Sequence, residues 1–440
     1  MSDSVAILGG GMTGLTAAYR LGEKGVRSVV YERRPVLGGL ASTVTVAGEP
    51  LEMFYHHWFR SDLDVIALTE ELGLSDRLMW LPSRISLWHK DGAYPLNTPF
   101  DLLRFRHLGF LDKLRFGLST LYLQKRTAWE AFDGLSCREW MTRWAGRRAT
   151  EVVWMPLLRA KFGRHADDIA LAWLWGKVHL RGASRAGGVG REYLGYMDGT
   201  FAPLVERLVE RAVALGARIE RMADVRGIRP RSDGRLEVVT SRGTETHSRV
   251  LSTLAFPALL PLVPDMDGDW RRRVAELDYI GTVCVLLINR RRFSDIYWQN
   301  ISDPDIPFCG LIEHTNFIGG GHYGGRHLLY IANYVHRDDP FFQLSNRAIL
   351  DAYEPHLRRI NPEFSRDWIE RAMVFRAEYA QPIVRRGYRH RVPGCRTPLP
   401  NLWSANMAQI YPEDRGMNYA VRSANRVVAE MLGVPQWAGT

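Results

Sequence analysis

Val5-Ala6-Ile7-Leu8-Gly9-Gly10-Gly11-Met12-Thr13-Gly14 opens the chain, and its reading decides the fold. A short apolar run rich in β-branched residues reads as a buried strand. The glycine cluster after it reads as a tight turn. Leu15, Ala18 and Leu21 then recur at helical spacing, Gly25 closes the helix, and Val26 to Tyr31 forms a second apolar strand ending at Glu32. Strand, glycine turn, helix, strand and acid within about thirty residues make a dinucleotide-binding βαβ unit.

Each part has its own physical role. Gly9 permits the turn, Gly11 lets backbone approach a pyrophosphate, and Gly14 lets the helix pack close to the strand. Met12 and Thr13 stand at the helix N-terminus, whose unpaired N–H groups suit phosphate oxygens. Glu32 is placed to accept the hydroxyls of an adenosine ribose.

After Glu32 the chain reads Arg33-Arg34-Pro35-Val36-Leu37-Gly38-Gly39-Leu40. The run from Val5 to Leu40 resembles the N-terminal motif of flavoproteins in the amine oxidase, protoporphyrinogen oxidase and UDP-galactopyranose mutase superfamily. That resemblance implies FAD rather than NAD(P), with Arg33, Gly38, Gly39 and Leu40 beside the cofactor. The fold it implies is α/β: a Rossmann-like, glutathione-reductase-like FAD-binding domain with an interleaved α+β substrate domain. Residues 1–60, 190–255 and 390–440 are assigned to the FAD-binding domain. Residues 61–189 and 256–389 are assigned to the substrate domain, with 100–181 mainly helical.

At 440 residues the chain is long enough for two domains sharing a cleft, and 46% hydrophobic with 24% charged residues is ordinary globular composition. The four cysteines, Cys137, Cys284, Cys309 and Cys395, form no CxxC pair, so neither a disulfide framework nor a metal site is expected. With no room for a leader before the first strand, the cytoplasm is the expected compartment. The net charge of +10 comes mostly from arginine. No nucleic-acid-binding motif accompanies it, so nucleic acid is not an expected partner. An anionic or sugar-bearing small molecule is. The oligomeric state is left open.

Further along, His57-Trp58-Phe59-Arg60-Ser61 is similar to the short segment that UDP-galactopyranose mutases place against the flavin ring. On an extended chain His56 and His57 point to opposite sides, so only His57 is expected at the flavin, with Arg60 nearby. The amphipathic, basic run from Phe100 to Arg126 reads as two helices broken near Gly109 and packed over the substrate domain, in preference to a membrane-surface helix. Arg159, Lys161, Trp175 and Lys177 combine rings with cations and are candidate substrate contacts. So are Tyr297, Glu313, His314, Asn333 and Tyr334, polar and aromatic residues near strand ends and loops.

The superfamily resemblance extends to three later blocks. Val225 sits in a strand expected to meet the adenine, and Leu236–Thr240, Thr244–Thr246 and Arg249–Leu254 should complete a meander. Tyr379 or Gln381 should face the substrate from the strand ending at Pro382. Asn406, Arg415, Gly416 and Met417 belong to the block resembling the C-terminal FAD motif, where a helix N-terminus meets the flavin pyrimidine ring. Asp414 and Arg415 could serve cofactor or substrate.

No nucleophile elbow, HExxH or P-loop is present, so hydrolytic and kinase chemistry have no support. Two chemistries remain. The favoured one is an FAD-dependent oxidoreductase, a dehydrogenase, oxidase or desaturase, moving a hydride from a small polar, sugar-like or sugar-nucleotide substrate to flavin N5. The alternative is a flavin-dependent sugar isomerase with no net redox.

Overall fold

The computed structural model describes residues 4–95, 98–184, 192–266 and 268–437. The expected domain boundary at 189/190 and Met1–Asp3 lie outside the described residues.

Ser4–Leu8 (β1) and Arg27–Glu32 (β2) are parallel and flank Met12–Glu23 (α1). All of Val5–Leu8 and Ser28–Glu32 are buried, as befits strands covered on both faces. The sheet has five parallel strands in the order Leu402–Ser404, Arg249–Ser252, β1, β2, Ala217–Arg221. Its register aligns Leu8 with Tyr31 and Ser252, and Ser252 with Ser404, so the carboxyl ends of the central strands share one edge. In an open α/β sheet the ligand crevice lies outside that edge.

One sequence expectation fails here. Arg249–Ser252 is not part of the meander, which is Val225–Pro230, Leu236–Thr240 and Gly243–His247. Val250–Ser252 are fully buried, and the Ser248 N–H donates to Ser4 O, which turns the chain into the parallel sheet between β1 and Leu402–Ser404.

A seven-stranded sheet stands beside the first. Its order is Ile369–Pro382, Tyr279–Asn289, His327–Val335, Gly310–Glu313, Trp298–Ile301, Ile85–His89, Gly92–Pro95. Ile85–His89 pairs in parallel with Trp298–Ile301, so segments from either side of the Ala217–Ser252 strands meet in one sheet. Between them the chain is helical from Pro99 to Ser184, and the break between Pro99–Arg104 and Phe110–Lys125 falls at Gly109.

α1 is locked in place by Arg20, which is 4% exposed. Its guanidinium meets both oxygens of Glu71 at 2.6 and 2.8 Å, and its Nε donates to Asn425 Oδ1 at 2.9 Å. A bidentate ion pair with its guanidinium buried fixes orientation. It ties α1 to the Leu63–Glu71 helix and to the last helix, Met417–Leu432.

Candidate active site

A cavity of about 1060 Å³ opens at the carboxyl edge of the parallel sheet and runs between it and the seven-stranded sheet. Its volume is at the top of the range for single small-molecule pockets, roughly 300–1,000 Å³, which leaves room for a large cofactor and a substrate.

One end is the glycine cradle. Gly9, Gly11, Met12 and Thr13 line it, with Gly38, Gly39 and Leu40 opposite. The Gly38 N–H donates to Gly10 O at 2.8 Å, which clamps the second glycine pair over the first. α1 begins at Gly11 with no side-chain cap and no acid in its first turn, so its N-terminal dipole faces the cavity uncompensated. Gly14 lies behind the cradle rather than in its wall: a Cβ there would stand 2.0 Å from Gly9 O. Glu32 lines the cavity with its carboxylate already oriented, Oε2 accepting from Gly10 N at 2.8 Å and Oε1 from Arg34 N at 2.9 Å. Arg33, Arg34 and Val225 complete this end.

The other end is built by the last helix. It starts at Gly416, again with no side-chain cap and no acidic first-turn residue, and Gly416–Ala420 line the wall. The Arg415 guanidinium is buried there, donating from Nη2 to Tyr334 Oη at 2.7 Å while Nε has no partner. Asn418 accepts from Val65 N through Oδ1, and its buried Nδ2 is also unpaired. Two uncapped helix N-termini, an oriented carboxylate and orphaned buried donors at opposite ends of one cavity suit an elongated ligand. It should be anionic in one part and carry hydrogen-bond acceptors in another. FAD has that form.

Asp414 collects the cavity's lysines. Lys161 Nζ donates to its Oδ2 at 2.6 Å, Lys177 pairs with the same oxygen, and Trp173 Nε1 reaches Oδ1 at 3.3 Å. Burial pushes the Asp414 carboxyl up, but Lys161, Lys177 and Arg415 outweigh it and hold it well below the usual range, so it is ionised. The Leu171–Ser184 helix comes this close because residue 176 is glycine. A Cβ there would stand 2.9 Å from Pro412 O.

His56 and His57 both line the cavity, although alternation on an extended chain predicts them on opposite sides. The alternation argument assumed an extended strand, and residues 55–57 belong to no strand. His57 Nδ1 is 3.3 Å from Tyr297 Oη, and its ring meets Phe59 and Trp298 edge-on at 5.3 Å each. His56 Nδ1 bonds Phe54 O at 2.6 Å, and burial pushes its pKa down to about 4, so it is neutral.

Among the other expected residues, Tyr379, Lys161, Lys177, Tyr334, Arg415, Gly416 and Met417 stand in the cavity wall. The remaining ones do not. Arg60 is exposed and stacks on the Trp80 ring at 4.7 Å. Gln381 is 2% exposed and donates to Pro382 O. Arg159 is tied to Glu151, and Trp175 Nε1 donates to Arg126 O. Asn406 caps its own turn through Ala408 N, and Asn333 points across its strand to Tyr353 Oη. Glu313 accepts the backbone N–H groups of Phe293 and Ser294, and burial pushes it up to about 7. His314 is a core histidine, held neutral by burial that lowers it to about 3. Tyr297 lies behind the wall, against His57 and Trp298, its own ring stacked on Phe317 at 4.4 Å.

Sequence reasoning missed several wall residues. Arg34 adjoins the cradle, Asp62 and Asn418 the last helix, and Trp154, Leu157 and Leu158 the apolar side. The last three follow one another at helical spacing, a signal equally consistent with ordinary core.

Comparison with known proteins agrees with this geometry. The sequence pattern of the flavin containing amine oxidoreductase family matches residues 12–432. The carotenoid phi-ring synthase of Streptomyces griseus is 27% identical over 305 residues, 63% of this chain and 57% of that protein. The 15-cis-phytoene desaturase of Synechococcus elongatus is 25% identical over 282 residues, 59% of this chain and 58% of that one. The chain thus spans a little over half the length of these two relatives. A crystal structure of reduced UDP-galactopyranose mutase superposes with a TM-score of 0.75 at 14% identity, covering 98% of this chain and 94% of the other. At that identity the likeness shows the fold.

Proposed function

This chain belongs to the flavin containing amine oxidoreductase family and is an FAD-dependent oxidoreductase, and from that premise we propose that it is a dehydrogenase or desaturase of a predominantly apolar substrate. The observation that carries this reading is the convergence of Lys161 and Lys177 on the one carboxylate of Asp414. The cavity's lysines are thereby committed to a protein partner instead of to an anionic head group. Arg159 and Trp175, the other members of that ring-and-cation group, lie outside the wall.

Between the two cofactor-binding ends one part of the wall is apolar, beside the polar Asn300, Gln343, Arg376 and Glu378. Trp154, Leu157 and Leu158 face Leu174 and Val178, with Phe59, Trp298 and Phe342 nearby. Such a surface gains from desolvating hydrocarbon, about 25 cal/mol per Å² buried, and offers little to a hydroxylated ring. The two sequence relatives described above carry desaturase and ring-synthase names, which agrees with C–H oxidation.

Bound FAD supplies the two-electron acceptor. The chain's own residues orient and exclude. Tyr297 and the Phe59 and Trp298 rings hold the His57 imidazole in one orientation at the wall, where it can accept or hold a proton beside the reacting carbon. The N-terminus of the last helix and Arg415 set positive potential against the cavity, favouring negative charge that develops there.

The test is anaerobic mixing of the yellow, FAD-loaded protein with a polyene hydrocarbon in detergent micelles, and separately with UDP-galactose. Bleaching by the hydrocarbon alone supports the proposal. A protein that stays yellow with both, and converts the sugar nucleotide only after dithionite reduction, is an isomerase and refutes it.

A further inference from the structure

The helix Phe110–Lys125 carries Leu111, Leu114, Leu118 and Leu121 at the spacing of one helical stripe. On a helix packed through that stripe these leucines would be covered. The side actually covered is the opposite one: Ser119 and Leu123 are buried, and Phe116 stacks on Trp154 of the cavity wall at 5.5 Å. The leucine stripe faces outward, with Phe110, Leu111 and Leu118 exposed by 73%, 71% and 58%. Phe100 and Leu103 of the Pro99–Arg104 helix are exposed beside it. A contiguous apolar patch of this kind on a water-soluble surface marks an interaction site.

The charges around the stripe say what it meets. Residues 99–126 hold six cations (Arg104, Arg106, Lys113, Arg115, Lys125, Arg126) against two carboxylates, Asp101 and Asp112, and with Arg106 paired to Asp91 a net excess of three cations remains. Asp101 is spent on the capping box of Thr98. Arg115 reaches over to the carbonyls of Arg143 and Trp144, and Trp144 and Tyr122 are exposed. In a two-fold self-association this patch would face its own copy and set like charges against each other. Leucines on an exposed helix, amphipathic rings at the edge and flanking cations are the composition of an interfacial helix lying on anionic lipid. No described helix is long and apolar enough to cross a membrane, so the contact would lie in the plane of the interface.

We propose that the outer face of Pro99–Arg104 and Phe110–Lys125 docks the protein on an anionic phospholipid bilayer. This surface is separate from the substrate assignment and stands or falls without it.

The test is sedimentation of the full-length, FAD-loaded protein with phosphatidylcholine vesicles, with and without about 30% phosphatidylglycerol, across a salt series. The expected result is binding to the anionic vesicles that weakens as salt rises. The double substitution Leu111→Asp with Leu118→Asp, at exposed positions, should keep the FAD content and lower vesicle affinity about a hundredfold. Arg104→Glu with Lys125→Glu should lower it about tenfold and flatten the salt dependence. Absence of vesicle binding, or binding that the leucine variant retains, overturns the proposal. So does a wild-type dimer, or a complex with an acidic protein, that the leucine variant dissolves while neither protein binds vesicles.

Discussion

Alanine at position 11 separates the cofactor from the fold. A Cβ on Gly11 would meet Gly39 Cα at 3.7 Å, an ordinary contact, with Gly39 N at 4.0 Å the only other atom in reach. The backbone there is at φ −79° and ψ 178°, which any residue adopts. The apoprotein of Gly11→Ala should therefore melt within about 0.5 kcal/mol of the parent, as surface substitutions do. The same methyl stands in the cavity wall at the start of α1, where a pyrophosphate must approach backbone N–H groups closely.

Hydrogen bonds to a charged group contribute about 1.5–3 kcal/mol each, so lengthening two of them past bonding distance costs about 3–6 kcal/mol. That corresponds to FAD binding weakened by roughly 10²–10⁴-fold. Gly14→Ala is the control. Its Cβ would stand 2.0 Å from Gly9 O, so α1 must retreat from β1 and stability falls by about 1–3 kcal/mol even without cofactor. The assays are thermal melting of both apoproteins and flavin titration followed by fluorescence. A Gly11→Ala protein with parental FAD affinity would refute the assignment of this turn to the pyrophosphate.

Three further outcomes are expected. His57→Ala should keep its FAD and lose most turnover, read as flavin absorbance and anaerobic bleaching rate on one sample; unchanged bleaching removes His57 from the chemistry. Asp414→Asn leaves Lys161, Lys177 and Arg415 facing one another without a carboxylate, and should lower the denaturation free energy by about 3–5 kcal/mol in a urea titration, whereas an unchanged midpoint means the lysines are solvated. Asp62 is raised by burial from 3.8 to about 6, so its neutral form is the favoured one in the fold. Its contribution is complete below about pH 4 and is lost as pH rises through about 6, a swing of up to about 3 kcal/mol. Asp62→Asn should accordingly match the parent's melting temperature at about pH 4 and exceed it at about pH 8; a gap that ignores pH would count against this.

What the sequence made legible follows from how local each constraint is. The βαβ unit could be read because turn, helix start and acid lie within one short segment, and each demands a residue type there. The glycine start of the last helix was readable for the same reason. Arg60, Gln381, Asn333 and Glu313 were misplaced because a strand or loop residue has two sides. Which side faces the cavity is set by pairing across hundreds of residues: Asn333 and Tyr334 are neighbours, yet only the second reaches the wall. The Lys161–Asp414–Lys177 cluster spans 253 positions between its first two members. No periodicity could have announced it, because the charged run Glu413-Asp414-Arg415 does not say which distant partner each member takes.

That same cluster explains why a basic chain with cationic motifs near its cleft need not bind an anion. Formal charge counts residues, whereas a substrate meets the potential left after ion pairing. Lys161 and Lys177 sit beside ring faces, each within 6 Å of the Trp173 centroid, as a ligand-binding cation would. Their ammonium groups nonetheless close on one carboxylate, and Arg415 closes on Tyr334. Three cations and one anion leave a net of +2 in this region, all of it at the N-terminus of the last helix. Positive potential concentrated there faces the end of the cavity proposed for the flavin, while Trp154, Leu157, Leu158, Leu174 and Val178 give the wall an apolar stretch. On the proposed reading, the cations and the apolar stretch occupy different parts of one cleft, and Asp414 is what gathers the cations.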